Sequence, residues 1–135
     1  MKVLVDSSAW SLRLRRRQSL VEDPVARALD ALVGRHEAAI IGPVKQELLT
    51  GIRDASQFAR LQRALAAFPD EPLLTIDYET AADFANRARR VGIQGSNVDF
   101  LVCAVAARLG VSILAADRDF ERFATMMPIR LYPAV

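Results

Sequence analysis

Four acidic side chains, far apart along the chain, each stand beside an apolar run. They are Asp6 in VLVDSSAW, Glu47 in GPVKQELLTGI, Asp99 in SNVDFLVCAVAARLG and Asp117 in SILAADRDF. Brought together in a partly desolvated cleft, such carboxylates repel one another, and the repulsion is relieved either by raised pKa values or by a hard divalent cation. Cys103 is the only cysteine and His36 the only histidine. Intrachain disulfides and cysteine-based zinc sites are therefore excluded, and a metal would be held mainly by oxygen. An all-oxygen donor set suits Mg²⁺ or Mn²⁺. The chemistry such a site most often serves is phosphate chemistry, in which the ion activates water and stabilises charge on the phosphoryl oxygen and leaving group.

Each acid also has a purely structural reading. Asp6 and Asp117 lie between a strand candidate and a helix candidate, where aspartate is a favoured N-cap. Glu47 falls in the early turns of a helix entered through Pro43, a place the helix dipole favours for any anion. Gly95, Ser96 and Asn97 are helix-start residues, so Asp99 falls in the first turn of the helix they open. Its face continues through the small residues Cys103 and Ala106, which lets that helix lie close to a neighbour.

The elements that must position these groups are legible from pattern. KVLVD, AAIIG and SILAAD are short apolar runs without helical spacing, ended by Gly or Asp, and read as strands; LLTI and IRLY are weaker strand candidates. Helical period appears in three sets: Val25, Leu29, Leu32 and Val33; Phe58, Leu61, Leu65 and Phe68; and Ala81, Phe84, Ala85 and Ala88. Short apolar strands alternating with helices predict an α/β fold whose mostly parallel sheet is covered on both faces. In such sheets ligands bind beyond the carboxyl ends of the strands, where strand order reverses. That edge is where all four acids are expected.

A chain of 135 residues that is 52% hydrophobic can bury the core of one domain, expected to span residues 1–135, and is too short for two ordinary ones. Asp6 interrupts the apolar stretch after Met1, and no apolar run reaches the roughly 18 to 20 residues of a membrane span. The expectation is a soluble, cytoplasmic protein with no membrane partner. Net charge is only +2, yet all of the 18 basic residues except Lys2 and Lys45 are arginine. They cluster at Arg13, Arg15, Arg16 and Arg17, and again at Arg87, Arg89 and Arg90. Guanidinium forks match phosphate geometry, so Arg13, Arg15 and Arg16, with Arg118 and Arg122 near the last acid, are candidate contacts to a nucleic-acid backbone. A solvated charged face is the alternative. Trp10 and Leu12 are expected in core or partner packing, with base stacking as the alternative. His36, in the turn before a strand, is expected to be solvent-facing or structural.

The segments VDSSAW, VKQELLTGI, NVDFLVCAVAARLG and ILAADRDF resemble, in order and over nearly the whole chain, the PIN-domain ribonucleases, and in particular the toxin half of VapBC-type toxin-antitoxin pairs. The resemblance implies a three-layer α/β/α sandwich around a mostly parallel sheet of about five strands, and metal-dependent endonucleolytic hydrolysis of RNA. It carries the acidic set over onto Asp6, Glu47, Asp99 and Asp117, with Ser8 and Asp119 as supporting residues. It further implies Mg²⁺ or Mn²⁺ as cofactor, with Asp6 and Asp99 as principal ligands and Glu47 and Asp117 completing the site directly or through water. A cognate antitoxin and a homodimer are the implied partners. One departure is Ala115, where the family commonly has Thr or Ser two positions before the fourth acid; a hydroxyl that could orient Asp117 is absent.

Two other classes fit a similar sheet. A receiver or phosphatase-like enzyme would want a second aspartate just beyond the first, where Ser7 and Ser8 stand. A non-catalytic module could keep the fold and only hold RNA or a partner protein; metal-dependent cleavage separates it from a nuclease.

Overall fold

The centre of the sheet is made of β1 (Val3–Val5), β2 (Ala38–Ile41) and β4 (Ser112–Leu114). In the computed structural model, which describes residues 1–14 and 23–134, every residue of β1 and β2 is buried. Strands with no solvent-facing side must be covered twice, as parallel sheets are. The covering helices are α1 (Ser7–Leu14), α2 (Pro24–Gly34), α3 (Gly42–Leu49), α4 (Ala55–Leu65), α5 (Thr75–Arg90), α6 (Asn97–Leu109) and α7 (Asp119–Ala124). Two short edge strands, β3 (Asp70–Glu71) and β5 (Arg130–Leu131), complete a five-stranded sheet of order β3-β2-β1-β4-β5. All four pairings are parallel. This is the three-layer α/β/α arrangement expected from the pattern of strands and helices.

Strand order fixes the functional edge. From β1 the chain builds outward through β2 to β3, then returns to β4 on the other side of β1. The reversal therefore lies at β1, and the crevice it opens is at the carboxyl end of that strand. Asp6 is the residue that follows β1.

One strand candidate is corrected. LLTI is not a strand: β3 lies earlier, and Thr75 and Ile76 open α5. The physical reason is Asp77, whose Oδ2 accepts the Leu74 N–H at 2.8 Å and starts the helix there. Leu74 and Ile76 are exposed, so the apolar run does not mark burial in the sheet. IRLY does contain β5. Phe68 lies beyond α4 and packs instead on Trp10, ring centroids 4.7 Å apart. Trp10 is fully buried and its indole N–H donates to Val5 O at 3.2 Å, which rules out base stacking for that ring.

Helix α6 is the scaffold for the third acid. Its residues from Phe100 to Ala106 are all buried, and it packs along α5. Ser96 caps it, and Gly110 ends it in the left-handed conformation, φ 68°. Just before the cap, a Cβ on Gly95 would lie 2.7 Å from Phe123 and 2.9 Å from Phe100. Only glycine lets the chain enter α6 over that pair of rings.

Candidate active site

Asp6 sits where β1 becomes α1. Its N–H donates to Leu114 O at 2.9 Å, extending the β1–β4 ladder by one step, and its carbonyl accepts the N–H groups of Ala9 and Trp10 as the helix begins. The carboxylate is 2% exposed. Oδ2 accepts from the Ser8 N–H at 3.1 Å and from the Ser8 hydroxyl at 2.7 Å. Oδ1 is buried and has no hydrogen-bond partner among the described residues. Burial pushes the carboxyl pKa up, and the charge of Glu47 adds to this; hydrogen bonds from Ser8 and Ser7 offset part of the rise. The capping reading is thus realised on Oδ2, and Oδ1 is the oxygen that capping leaves over.

The other acids stand around this group. Glu47, exposed on α3, accepts the Ser7 hydroxyl at 2.7 Å through Oε1. Asp99, half-buried at the third position of α6, forms a reciprocal capping box: its Oδ2 accepts the Ser96 N–H at 2.9 Å, and its own N–H donates to Ser96 Oγ at 3.1 Å. Desolvation pushes the Asp99 carboxyl up to about 6, reinforced by the charges of Asp6 and Asp117, against the hydrogen bonds from Ser96. Asp117 is exposed after β4; its Oδ1 accepts the Asp119 N–H at 2.9 Å, and its own N–H donates to Ser8 Oγ at 3.2 Å. Electrostatics therefore link Asp6 with Glu47, and Asp99 with both Asp6 and Asp117.

A divalent cation would answer two features of this arrangement: the orphaned Oδ1 of Asp6, and the burial, reinforced by neighbouring carboxylate charge, that raises Asp6 and Asp99. The donor atoms available are carboxylate oxygens, the set that suits Mg²⁺ or Mn²⁺. No group of three or more His, Cys, Asp or Glu side chains among the described residues is drawn together closely enough to hold a metal as it stands. The acids are electrostatic neighbours, and the cage is not pre-closed. Cys103, one turn beyond Asp99, is buried; burial first, then the charges of Asp99 and Asp6, push its thiol up. It is an inert packing residue.

The remaining candidates divide. Ser8 touches both Asp6 and the Asp117 loop. Asp119, half-buried, lies 3.7 Å from Arg122, itself exposed. Arg118 is exposed beside Asp117. Arg13 is engaged with Asp30 on α2 at 3.1 Å, an interaction between chain segments that tempers its reading as a phosphate contact. Arg15, Arg16 and Arg17 lie outside the described residues. His36 is exposed, at φ 58° in the turn before β2. Sequence reasoning gave Ser7 no role, although its hydroxyl fixes Glu47; two hydroxyls directly after a strand-end aspartate were the available signal.

Known proteins share this chain's pattern. The PIN domain family model matches residues 3–126. VapC ribonuclease Mb1587 of Mycobacterium bovis is 32% identical over 121 residues, covering 88% of this chain and 89% of that protein. Ribonuclease VapC6 of Mycobacterium tuberculosis is 28% identical over 98 residues, covering 70% and 77%. Among solved structures, VapBC2 from Rickettsia felis bound to a DNA fragment from its promoter superposes with a TM-score of 0.75, at 15% identity and 98% coverage of both chains. A toxin-antitoxin complex from Klebsiella pneumoniae superposes at 0.65, with 17% identity and coverage of 96% and 100%. At those identities the structures bear on fold alone, whereas the family match and the sequence relatives bear on descent. The chain belongs to the PIN-domain family and, within it, to the VapC ribonucleases.

Proposed function

We propose that this chain, as a single PIN-like nuclease domain over residues 1–135, is a Mg²⁺- or Mn²⁺-dependent endoribonuclease and the toxin component of a toxin-antitoxin system. The observation that carries the reading is the buried Asp6 carboxylate with one oxygen unpartnered at the sheet's reversal point, flanked by Glu47, Asp99 and Asp117. A buried carboxylate left half-satisfied is costly, so its retention at a ligand-binding edge points to a ligand.

Asp6 and Asp99 would be the principal metal ligands, with Glu47 and Asp117 completing the site directly or through water. A bound divalent cation supplies Lewis acidity, lowering the pKa of water and neutralising charge on the scissile phosphate. Asp6 contributes Oδ1, because Oδ2 is committed to Ser8. Asp99 must be ionised to bind, and with its carboxyl at about 6 it is so at neutral pH. Ser7 holds Glu47, and the Asp119 amide holds Asp117, so that both carboxylates are oriented before substrate arrives. Arg118 and Arg122, exposed beside the fourth acid, would meet the RNA backbone.

The proposed protein partner is a cognate antitoxin, supported by solved neighbours that are toxin-antitoxin complexes. A homodimer is proposed as well, supported by the exposed apolar side chains Leu74, Ile76, Tyr78 and Val91 around α5. The proposed place of action is the cytoplasm; no helix among the described residues is long and apolar enough to cross a membrane.

The test is incubation of the purified protein with total RNA, in Mg²⁺ or with chelator, with mapping of the 5′ ends produced. Discrete, metal-dependent ends that vanish in Asp6→Ala are expected. Cleavage that persists in chelator or in Asp6→Ala overturns the reading, and RNA binding without cleavage favours the non-catalytic alternative.

A further inference from the structure

The Ser8 hydroxyl makes three hydrogen bonds. It donates to Asp6 Oδ2 at 2.7 Å and accepts the N–H groups of Ala116 at 2.9 Å and Asp117 at 3.2 Å. A serine hydroxyl has one proton and two lone pairs. Amide N–H groups only donate, so both lone pairs are taken and the proton is left to Asp6. Oδ2 is thereby held as an acceptor, by this bond and by the Ser8 amide at 3.1 Å, and Oδ1 is the oxygen left over. The same hydroxyl fastens the turn after β4 to the turn after β1, across more than a hundred residues of sequence. Sheet pairing does not do this, because the β1–β4 register ends at Val5 and Leu114 and is extended only by the Asp6 N–H.

We propose that Ser8 is a positioning residue: its hydroxyl couples Asp6 to Asp117 and selects Oδ1 of Asp6 as the oxygen offered to a divalent cation. The inference rests on the metal-site part of the proposed function, and it does not depend on what the site cleaves. The Ser7 hydroxyl, by contrast, reaches a single acid, Glu47.

Mn²⁺ binding to the RNA-free protein, followed by electron paramagnetic resonance, tests it, with kcat and KM for RNA cleavage measured alongside. Ser8→Ala is expected to weaken Mn²⁺ binding about tenfold, the effect usual for residues that orient metal ligands, and to lower kcat while leaving KM for RNA in place. Ser8→Thr keeps the hydroxyl and is expected to restore both; Ser8→Cys, close in size but a weak donor, is expected to behave like alanine while remaining folded. Unchanged Mn²⁺ affinity in Ser8→Ala and Ser8→Cys, or a Ser8→Thr protein as impaired as Ser8→Ala, overturns the proposal. Weakened Mn²⁺ binding in Ser8→Ala and its rescue in Ser8→Thr, in a protein whose wild type cuts no RNA, upholds the role of Ser8 and removes the nuclease reading.

Discussion

Two aspartates, Asp6 and Asp77, are the buried charged side chains among the described residues, and they are treated in opposite ways. Asp77 is fully paired: Arg108 Nε donates to Oδ1 at 2.8 Å, an Arg108 terminal nitrogen donates to Oδ2 at 3.0 Å, and the Leu74 N–H donates to Oδ2 at 2.8 Å. Burial alone would raise its pKa, but Arg108 and the Leu74 amide outweigh that and hold it below the usual range. Among the described residues, Asp6 has one satisfied oxygen and one without a hydrogen-bond partner, and its pKa is raised. Asp77 ties α5 to α6 and is a structural device. Asp6 costs stability where it stands, and a cation held as proposed above would offset that cost.

Substitutions should separate the two. Asp6→Asn is expected to lower RNA cleavage by about a thousandfold or more, while raising the melting midpoint of the metal-free protein, because a buried charge and its repulsion with Glu47 are removed. Asp77→Ala is expected to do the reverse. It removes the carboxylate that Arg108 and the Leu74 N–H share and should cost about 1 to 3 kcal/mol in urea denaturation, with kcat of the folded fraction little changed. A stabilised Asp77→Ala protein, or a destabilised Asp6→Asn protein, would break the contrast.

Smaller effects sharpen it at the third acid. Gly95→Ala forces a Cβ against the Phe100 and Phe123 rings and should cost about 1 to 3 kcal/mol, as overpacking does, read as a lowered denaturation midpoint. The pH dependence of Asp99 is the subtlest test. Its folded pKa, about 6, lies above the ordinary 3.8, so the folded state holds the proton more tightly. The stability this group contributes to the metal-free protein is fully present below about 3.8 and is lost as pH rises through about 6. Asp77, shifted downward, acts oppositely: its contribution is present above the ordinary carboxyl range and is lost as pH falls through its lowered pKa. Mn²⁺ binding near pH 6 should release a proton that Asp99→Asn does not release, measured by calorimetry in buffers of different ionisation heat.

The strands and the acids at their ends were readable because a sheet covered on both faces needs short, wholly apolar runs, and VLV, AAII and SIL are such runs. Asp99 was placed by its cap residues, which the structure confirms as a capping box. What was not readable depends on contacts with no local signature. The Ser7–Glu47 bond spans 40 residues and the Ser8–Ala116 bond 108. Nothing local marks Asp77 for burial, since the Arg108 that closes over it stands 31 positions later. LLTI misled for a different reason: Asp77, which starts the helix, is only three residues from Leu74, but leucine is not among the residues that ordinarily announce an N-cap. Arg13 belonged to a basic run in sequence and to an ion pair with Asp30 in the fold.

The central claim is that the unpartnered Asp6 oxygen is a cation ligand. Mn²⁺ titration of the RNA-free wild type and of Asp6→Asn, each with its metal-free melting curve, tests this directly. The prediction is a dissociation constant raised about a hundredfold or more in Asp6→Asn, together with a metal-free melting midpoint at or above that of wild type. Equal Mn²⁺ affinity in the two proteins would contradict it.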